Sequence, residues 1–280
     1  SESQLSDNET NELDDVAKKY QKKSQLEHIK DLPDTYIGST VKEFNSNWNL
    51  KNNEALHITN REFEYVPGLR SIIEEILVNA FDNMNRVNQK NAVENKRLKK
   101  VSYIKVNVNR DKGEISIEND GEGIDVVLHP TENIYVPEMI FGNLLTSGNY
   151  NKDEEKITGG KNGFGAKLTN IFSTYFEVET IDRNRKLKYK QVYRENMSVK
   201  EEPIIEKYKE SPYTRITFIP DYAKFNLNGM SEDLELLIKK RAVDMFACSR
   251  GQLNIYFNNE QIELKTFTDY MKLYIEPDMS

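Results

Sequence analysis

Residues 159–167 read Gly-Gly-Lys-Asn-Gly-Phe-Gly-Ala-Lys and hold four of the thirteen glycines in this 280-residue chain. Leu168-Thr169-Asn170-Ile171-Phe172 follow directly and read as the first turns of an amphipathic helix. Glycine adopts φ > 0 readily and brings backbone N–H groups against a ligand with no Cβ in the way. A glycine loop feeding a helix N-terminus is an anion site, because unpaired N–H groups and the helix dipole point the same way. The run matches neither the Walker pattern nor the dinucleotide fingerprint. Lys167 resembles a P-loop lysine, yet Leu168 stands where that loop has Ser or Thr. Phosphate binding and an ordinary flexible loop both remain open on the run alone.

The length suits one large or two medium domains with ample core. A net charge of −7 and a pI near 5.3 argue against a chain whose whole surface coats nucleic acid. The single cysteine, Cys248, allows no internal disulfide and fits a reducing compartment. It sits on an apolar helical stretch and reads as a core residue rather than a nucleophile. No apolar run reaches the length of a membrane span, and the N-terminus has no signal-peptide core. A soluble intracellular protein with no membrane partner is expected.

Residues 1–19 read as a disordered acidic tail and 20–40 as an N-terminal arm. Within the arm, Ser24 caps a short helix stopped near Pro33. The clearest helix covers 69–86, where Leu69, Ile72, Ile73, Ile76, Leu77, Ala80 and Met84 recur at helical spacing. Residues 89–100 read as an exposed connection. Strands are expected at 101–108, 114–119, 175–181, 187–193 and 213–219, a helix at 231–248, and a hairpin at 253–257 and 261–264. The order predicts an α+β two-layer sandwich: a mixed, mostly antiparallel sheet with helices on one face. The globular domain is placed at 41–265, and 266–280 reads as the start of a linker.

Three further stretches carry polar groups in unusual places. Side chains on a helix turn by about 100° per residue, so Glu75, Asn79, Asp82 and Arg86 form one stripe beside the apolar face, with Asn83 nearer the core. A solvated face normally carries Lys, Glu and Gln; two Asn and an Asp in mid-helix have poor propensity and suit ligand binding. Asn119-Asp120-Gly121-Glu122-Gly123-Ile124 ends a strand. It is either an Asp-Gly turn or a carboxamide and glycines that admit a flat base. Phe141 to Tyr150, FGNLLTSGNY, precedes a charged run and fits either a lid over polyphosphate or a surface loop.

Together, E-x3-N on a helix, N-D-G-x-G after a strand, a lid and G-x-x-G-x-G resemble the GHKL (Bergerat) ATPases: gyrase B, the heat-shock chaperones, MutL and the histidine kinases. The stretches QLEHIKDLPDTYIGS, EILVNAFDN, NIYVPEMIFGNLLTSGNY and GGKNGFGAKLTNIFSTYF are similar to the ATPase region of the eukaryotic type II DNA topoisomerases. They span most of residues 20–220.

That resemblance implies roles at matching positions. Glu75 would be the general base that activates water. Asn79 would hold Mg²⁺ through its amide oxygen. Asn119 would read the adenine amino group, standing where gyrase-like relatives have Asp. Asp82, Asn83, Arg86, Ile124, Phe141 and Thr146 would line the nucleotide. Ser147, Gly148 and Asn149 would contact ribose and phosphate, with Gly148 replacing a frequent serine. Gly160, Lys161, Asn162, Gly163, Phe164, Gly165, Ala166 and Lys167 would wrap the phosphates, and Thr214 would lie near the adenine.

The family completes its site with a lysine from a following transducer domain, so the 280 residues alone are expected to bind ATP with little hydrolysis. In the full-length enzyme ATP would close two modules into a homodimer gate for DNA passage, with the arm near Tyr20 crossing to the partner; the expected location is nuclear. Two other readings compete. A histidine kinase would phosphorylate a histidine, but no long dimerising helix precedes the motifs, and His28 reads as a packing or capping residue. The other is a nucleotide-sensing dimerisation module without turnover. His57 and His129 have no companions at metal-ligand spacing.

Overall fold

The long helix organises the molecule. In the computed structural model, which describes residues 24–51, 56–144 and 164–275, it runs from Pro67 to Val93. Pro67 opens it because a first-turn residue needs no N–H partner and proline already holds a helical φ. Every apolar position expected on its buried face is buried, and Val87 extends that face by another turn.

The expected connection at 89–100 is corrected: helix continues to Val93, and only the remainder is irregular. Buried Val87 holds the last turns down. The Asn91 side chain then fastens the following segment, accepting from Leu98 N–H at 2.8 Å and donating to its carbonyl at 3.0 Å.

In chain order the elements are α1 (Gln25–Asp31), α2 (Pro33–Ile37), β1 (Glu43–Leu50), β2 (Ile58–Tyr65), α3 (Pro67–Val93), β3 (Tyr103–Asn109) and β4 (Glu114–Asp120). Then follow α4 (Val136–Phe141), α5 (Gly165–Ile171), β5 (Ser173–Asp182), β6 (Leu187–Arg194), β7 (Val199–Lys200), β8 (Ile204–Lys207) and β9 (Tyr213–Pro220). A 3-10 turn (Tyr222–Phe225), α6 (Glu232–Cys248), β10 (Asn254–Phe257), β11 (Glu260–Gln261) and α7 (Phe267–Lys272) complete the order.

The main sheet runs β11-β10-β3-β4-β9-β5-β6-β7, with β8 also on β6. Among the described residues only the β10–β3 pairing is parallel, so the expected mixed, mostly antiparallel sheet is what forms. Alternation separates its faces. Ile104, Val106, Ile117, Val178, Ile216 and Phe218 join the residues of α3, α5 and α6 in one core. On the other face a charge row crosses four strands: Glu118 takes Arg215 at 2.6 Å, Arg215 also reaches Glu179 at 3.1 Å, and Lys188 reaches Glu179 at 3.0 Å.

Three elements were not legible in the pattern. The β1–β2 hairpin lies apart from the main sheet, and its Leu50 and Ile58 pack on Leu236 of α6. The arm contains two helices, because Pro33 ends one and opens the next; Ser24 and Glu27 close a capping box on the first. The stretch expected to begin a linker starts with α7, capped by Thr266 and Asp269 and fastened by Tyr270 O–H to Asp244 at 3.0 Å.

Cys248 is also corrected. It is exposed as the last residue of α6, while the helix's apolar row ends at Met245 and Phe246. His28 packs edge-on against Tyr36 and meets its hydroxyl at 2.9 Å. The acidic tail through residue 19, Tyr20, and residues 145–163 with Thr146, Ser147, Gly148, Asn149, Gly160, Lys161, Asn162 and Gly163 lie outside the described residues.

Candidate nucleotide site

A cleft lies between α3 and the β4–β9 part of the sheet, with α4 and α5 at its margins. It encloses about 970 Å³ of atom-free space, part of it open to solvent. Asn79, Asp82 and Arg86 of the polar stripe line it from α3 together with Asn83, so these four side chains face one space. Arg86 donates to Asn83 Oδ1 at 2.8 Å. Ile76 and Ala80 supply apolar wall from the same helix.

The sheet supplies the opposite wall. Asn119 and Thr214 line the cleft with Ile117 and Ile216. They are direct partners in the β4–β9 register. Asn119 Nδ2 donates to the Asp120 carbonyl at 2.7 Å. Its remaining polar atom, the amide oxygen, is an acceptor suited to an exocyclic amine.

Asp120 has a different task from its neighbour. Its buried carboxylate accepts from Ser102 N–H at 2.7 Å, Ser102 O–H at 2.6 Å and Tyr103 N–H at 3.1 Å, fixing the start of β3. The turn after it brings Gly123 and Ile124 to the cleft. Gly123 is doubly required: its φ is +74°, and a Cβ would come 1.8 Å from the Ile181 carbonyl oxygen.

Ile140 and Phe141 close one end from α4, and Gly165 and Ala166 bring the N-terminus of α5. That helix is fastened to both neighbours. Thr169 O–H donates to the Ile72 carbonyl on α3 at 2.8 Å, and Asn170 Nδ2 donates to the Phe141 carbonyl on α4 at 3.0 Å.

Glu75 lies on the α5 side of the helix rather than along the cleft wall. A Cβ on Gly165 would stand 1.8 Å from Glu75 Oε2, so the carboxylate rests against the glycine backbone. Only a residue without a side chain allows that approach. Burial raises the Glu75 pKa above its ordinary value, and the charges of Asp82 and Glu74 raise it further. Lys167, also on α5, is 6 % exposed, and burial lowers its pKa; its ammonium stands 5.9 Å from the Phe164 ring.

Sequence reasoning missed two residues behind the wall. Thr180 of β5, fully buried, accepts from Ile124 N–H at 3.0 Å. Asp182 accepts from Val126 N–H at 2.9 Å. Both hold the glycine turn against β5. Their sequence signal was weak, because Ser173, Thr174, Glu177 and Glu179 make the same strand polar elsewhere. Among the described residues no cluster of three His, Cys, Asp or Glu could hold a metal ion.

Residues 65–223 match the family model described as histidine kinase-, DNA gyrase B-, and HSP90-like ATPase, and the chain belongs to that family. ATP binding goes with membership. Within it, the chain is 46 % identical over 255 residues to DNA topoisomerase 2 top-2 of Caenorhabditis elegans, covering 91 % of itself and 16 % of that protein. It thus spans about a sixth of the length of the curated relatives it matches.

Among solved structures it superimposes on the ATPase region of Saccharomyces cerevisiae topoisomerase II with a TM-score of 0.78 and 42 % identity, covering 92 % of this chain and 65 % of that one. The 43K ATPase domain of Thermus thermophilus gyrase B, at 22 % identity and a TM-score of 0.55 over 85 % of this chain and 50 % of that one, shares the fold.

Proposed function

We propose that this chain is the ATP-binding and ATP-hydrolysing module of a type II DNA topoisomerase. The observation that carries the reading is the contact of the half-buried Glu75 carboxylate with the N-terminus of α5, beside a cleft whose far wall is Asn119 and Thr214. Adenine lies on the sheet wall, with its amino group donating to Asn119 Oδ1. The phosphates extend toward α5, where helix N–H groups favour negative charge.

Glu75 orients the attacking water and takes its proton. Its pKa, raised by burial and by the charges of Asp82 and Glu74, makes it a stronger base than an exposed glutamate. Asn79 would hold Mg²⁺ through its amide oxygen, and the Asp82 carboxylate lines the same wall, an oxygen chemistry that suits that ion. When bound, Mg²⁺ supplies charge neutralisation on the phosphates.

The relatives are named topoisomerases, which supports a role in topoisomerase action on DNA; ATP-dependent closure of two such modules and a nuclear location are further parts of the proposal.

The test is calorimetric ATP titration of Glu75→Ala together with ATPase assays in a longer protein that includes this chain. Retained binding with turnover lost supports the reading. Unchanged turnover rejects Glu75 as the base, and absence of ATP binding by the unaltered chain rejects the whole assignment.

A further inference from the structure

Asn119, Thr214 and Thr180 stand in one row across three adjacent strands, β4, β9 and β5. The first two line the cleft, and the third is fully buried behind them. Thr180 Oγ1 accepts from Ile124 N–H at 3.0 Å, lies 2.9 Å from Thr214 Oγ1 and can donate to the Tyr213 carbonyl at 3.2 Å.

A hydroxyl has one proton and two lone pairs. With one lone pair committed to Ile124, the Thr180 hydroxyl has two arrangements left. In the first it donates to the Tyr213 carbonyl and accepts from Thr214, which then shows the cleft only lone pairs. In the second it donates to Thr214, whose own proton is released toward the cleft. Both threonine hydroxyl protons find acceptors in the first arrangement without a ligand. The second requires an acceptor in the cleft to receive the Thr214 proton.

We propose that Thr180 is a positioning residue for base recognition, turning Thr214 into a hydrogen-bond donor toward a ring nitrogen of the bound base. The inference rests on the adenine-nucleotide reading of the cleft. It deepens that reading by adding a second, opposite-polarity contact to the acceptor at Asn119. The pair Asn119 oxygen and Thr214 proton matches a base whose neighbouring edge atoms are an amino group and an unprotonated ring nitrogen. A 6-oxo purine presents an oxygen against Asn119 Oδ1 and a protonated ring nitrogen against Thr214, so both contacts fail together. Because the Ile124 N–H holds Thr180 in place, the same side chain ties the glycine turn to the base contact.

The test is ATP and inorganic tripolyphosphate binding to the 280-residue chain carrying Thr180→Val, with Thr180→Ser as the conservative variant and Thr214→Val as the partner change. Thr180→Val is expected to weaken ATP about tenfold, in line with loss of one or two neutral hydrogen bonds. Tripolyphosphate, which has no base, keeps its affinity, and Thr180→Ser restores ATP binding. Thr214→Val weakens ATP to a similar degree, and adding Thr180→Val to it costs little more.

Unchanged ATP affinity in Thr180→Val overturns the proposal. So does an equal loss for ATP and tripolyphosphate, which would mark a general structural effect. If Thr180→Val fails to fold, the proposal stands or falls on Thr214→Val, where unchanged ATP affinity overturns it. Failure of the unaltered chain to bind ATP, in contrast, removes the nucleotide reading itself.

Discussion

Replacing Gly165 with alanine separates the position of Glu75 from its chemistry. The added Cβ would lie 1.8 Å from Oε2, 2.5 Å from Cδ and 3.2 Å from Cγ of Glu75. Ordinary contact begins at 3.4 Å, so the carboxylate must retreat by about 1.6 Å. The obstructed atoms are the far end of a flexible side chain, which can rotate away at small cost. Gly165 is the first residue of α5 with no positive φ, and alanine is the better helix former by about 1 kcal/mol. Stability should therefore change by less than about 1 kcal/mol in either direction.

Catalysis should not be spared. A displacement of about 1 Å in a catalytic group can cost on the order of 10²-fold in rate. Gly165→Ala is expected to lower kcat by about that factor, with ATP affinity within a few-fold of the unaltered protein. A coupled ATPase assay, in a longer protein containing this chain, reads the rate. The decisive comparison adds Gly165→Ala to Glu75→Gln. If glycine acts only through the base, the double variant is no slower than Glu75→Gln alone. A wild-type rate for Gly165→Ala, or full additivity in the double variant, would refute the reasoning.

Other outcomes follow from the same geometry. Because the folded state raises the Glu75 pKa, it retains that proton better than the unfolded chain, and ionising the group above its unfolded value costs stability. Glu75→Gln should therefore raise the thermal midpoint at pH 7 and lose that advantage as the pH falls below the ordinary value of 4.5. Asp82→Asn removes a charge that raises this pKa, so the acid limb of the ATPase profile should move to lower pH. Gly123→Ala should cost on the order of 3 kcal/mol or more in urea unfolding, since both its φ and the Ile181 carbonyl oppose a Cβ. Ser231→Ala removes the side-chain cap on Leu234 N–H and should cost about 1 kcal/mol, a difference that thermal unfolding resolves.

Local periodicity determined much of this protein. The spacing of Leu69, Ile72, Ile73, Ile76 and Leu77 fixes a buried helix face, and that fixes which way Asn79, Asp82 and Arg86 point relative to it. Strand alternation and the Asn119–Gly123 turn were equally readable, because each depends on neighbours a few residues apart. The β1–β2 hairpin was not: Asn45, Ser46, Asn47 and Asn49 carry no strong strand propensity, and pairing with β2 and packing on α6 hold them extended.

The order of motifs also announced a nucleotide site and its family, but the working contacts belong to the tertiary structure. Glu75 meets Gly165 because α5 packs on α3, with Thr169 bonded to the Ile72 carbonyl, and its raised pKa comes first from burial that no spacing reveals. Thr180 enters the site through strand register, as the partner of Thr214. A side chain's direction along its own element is a local property, whereas which element it meets depends on how distant segments pair and pack.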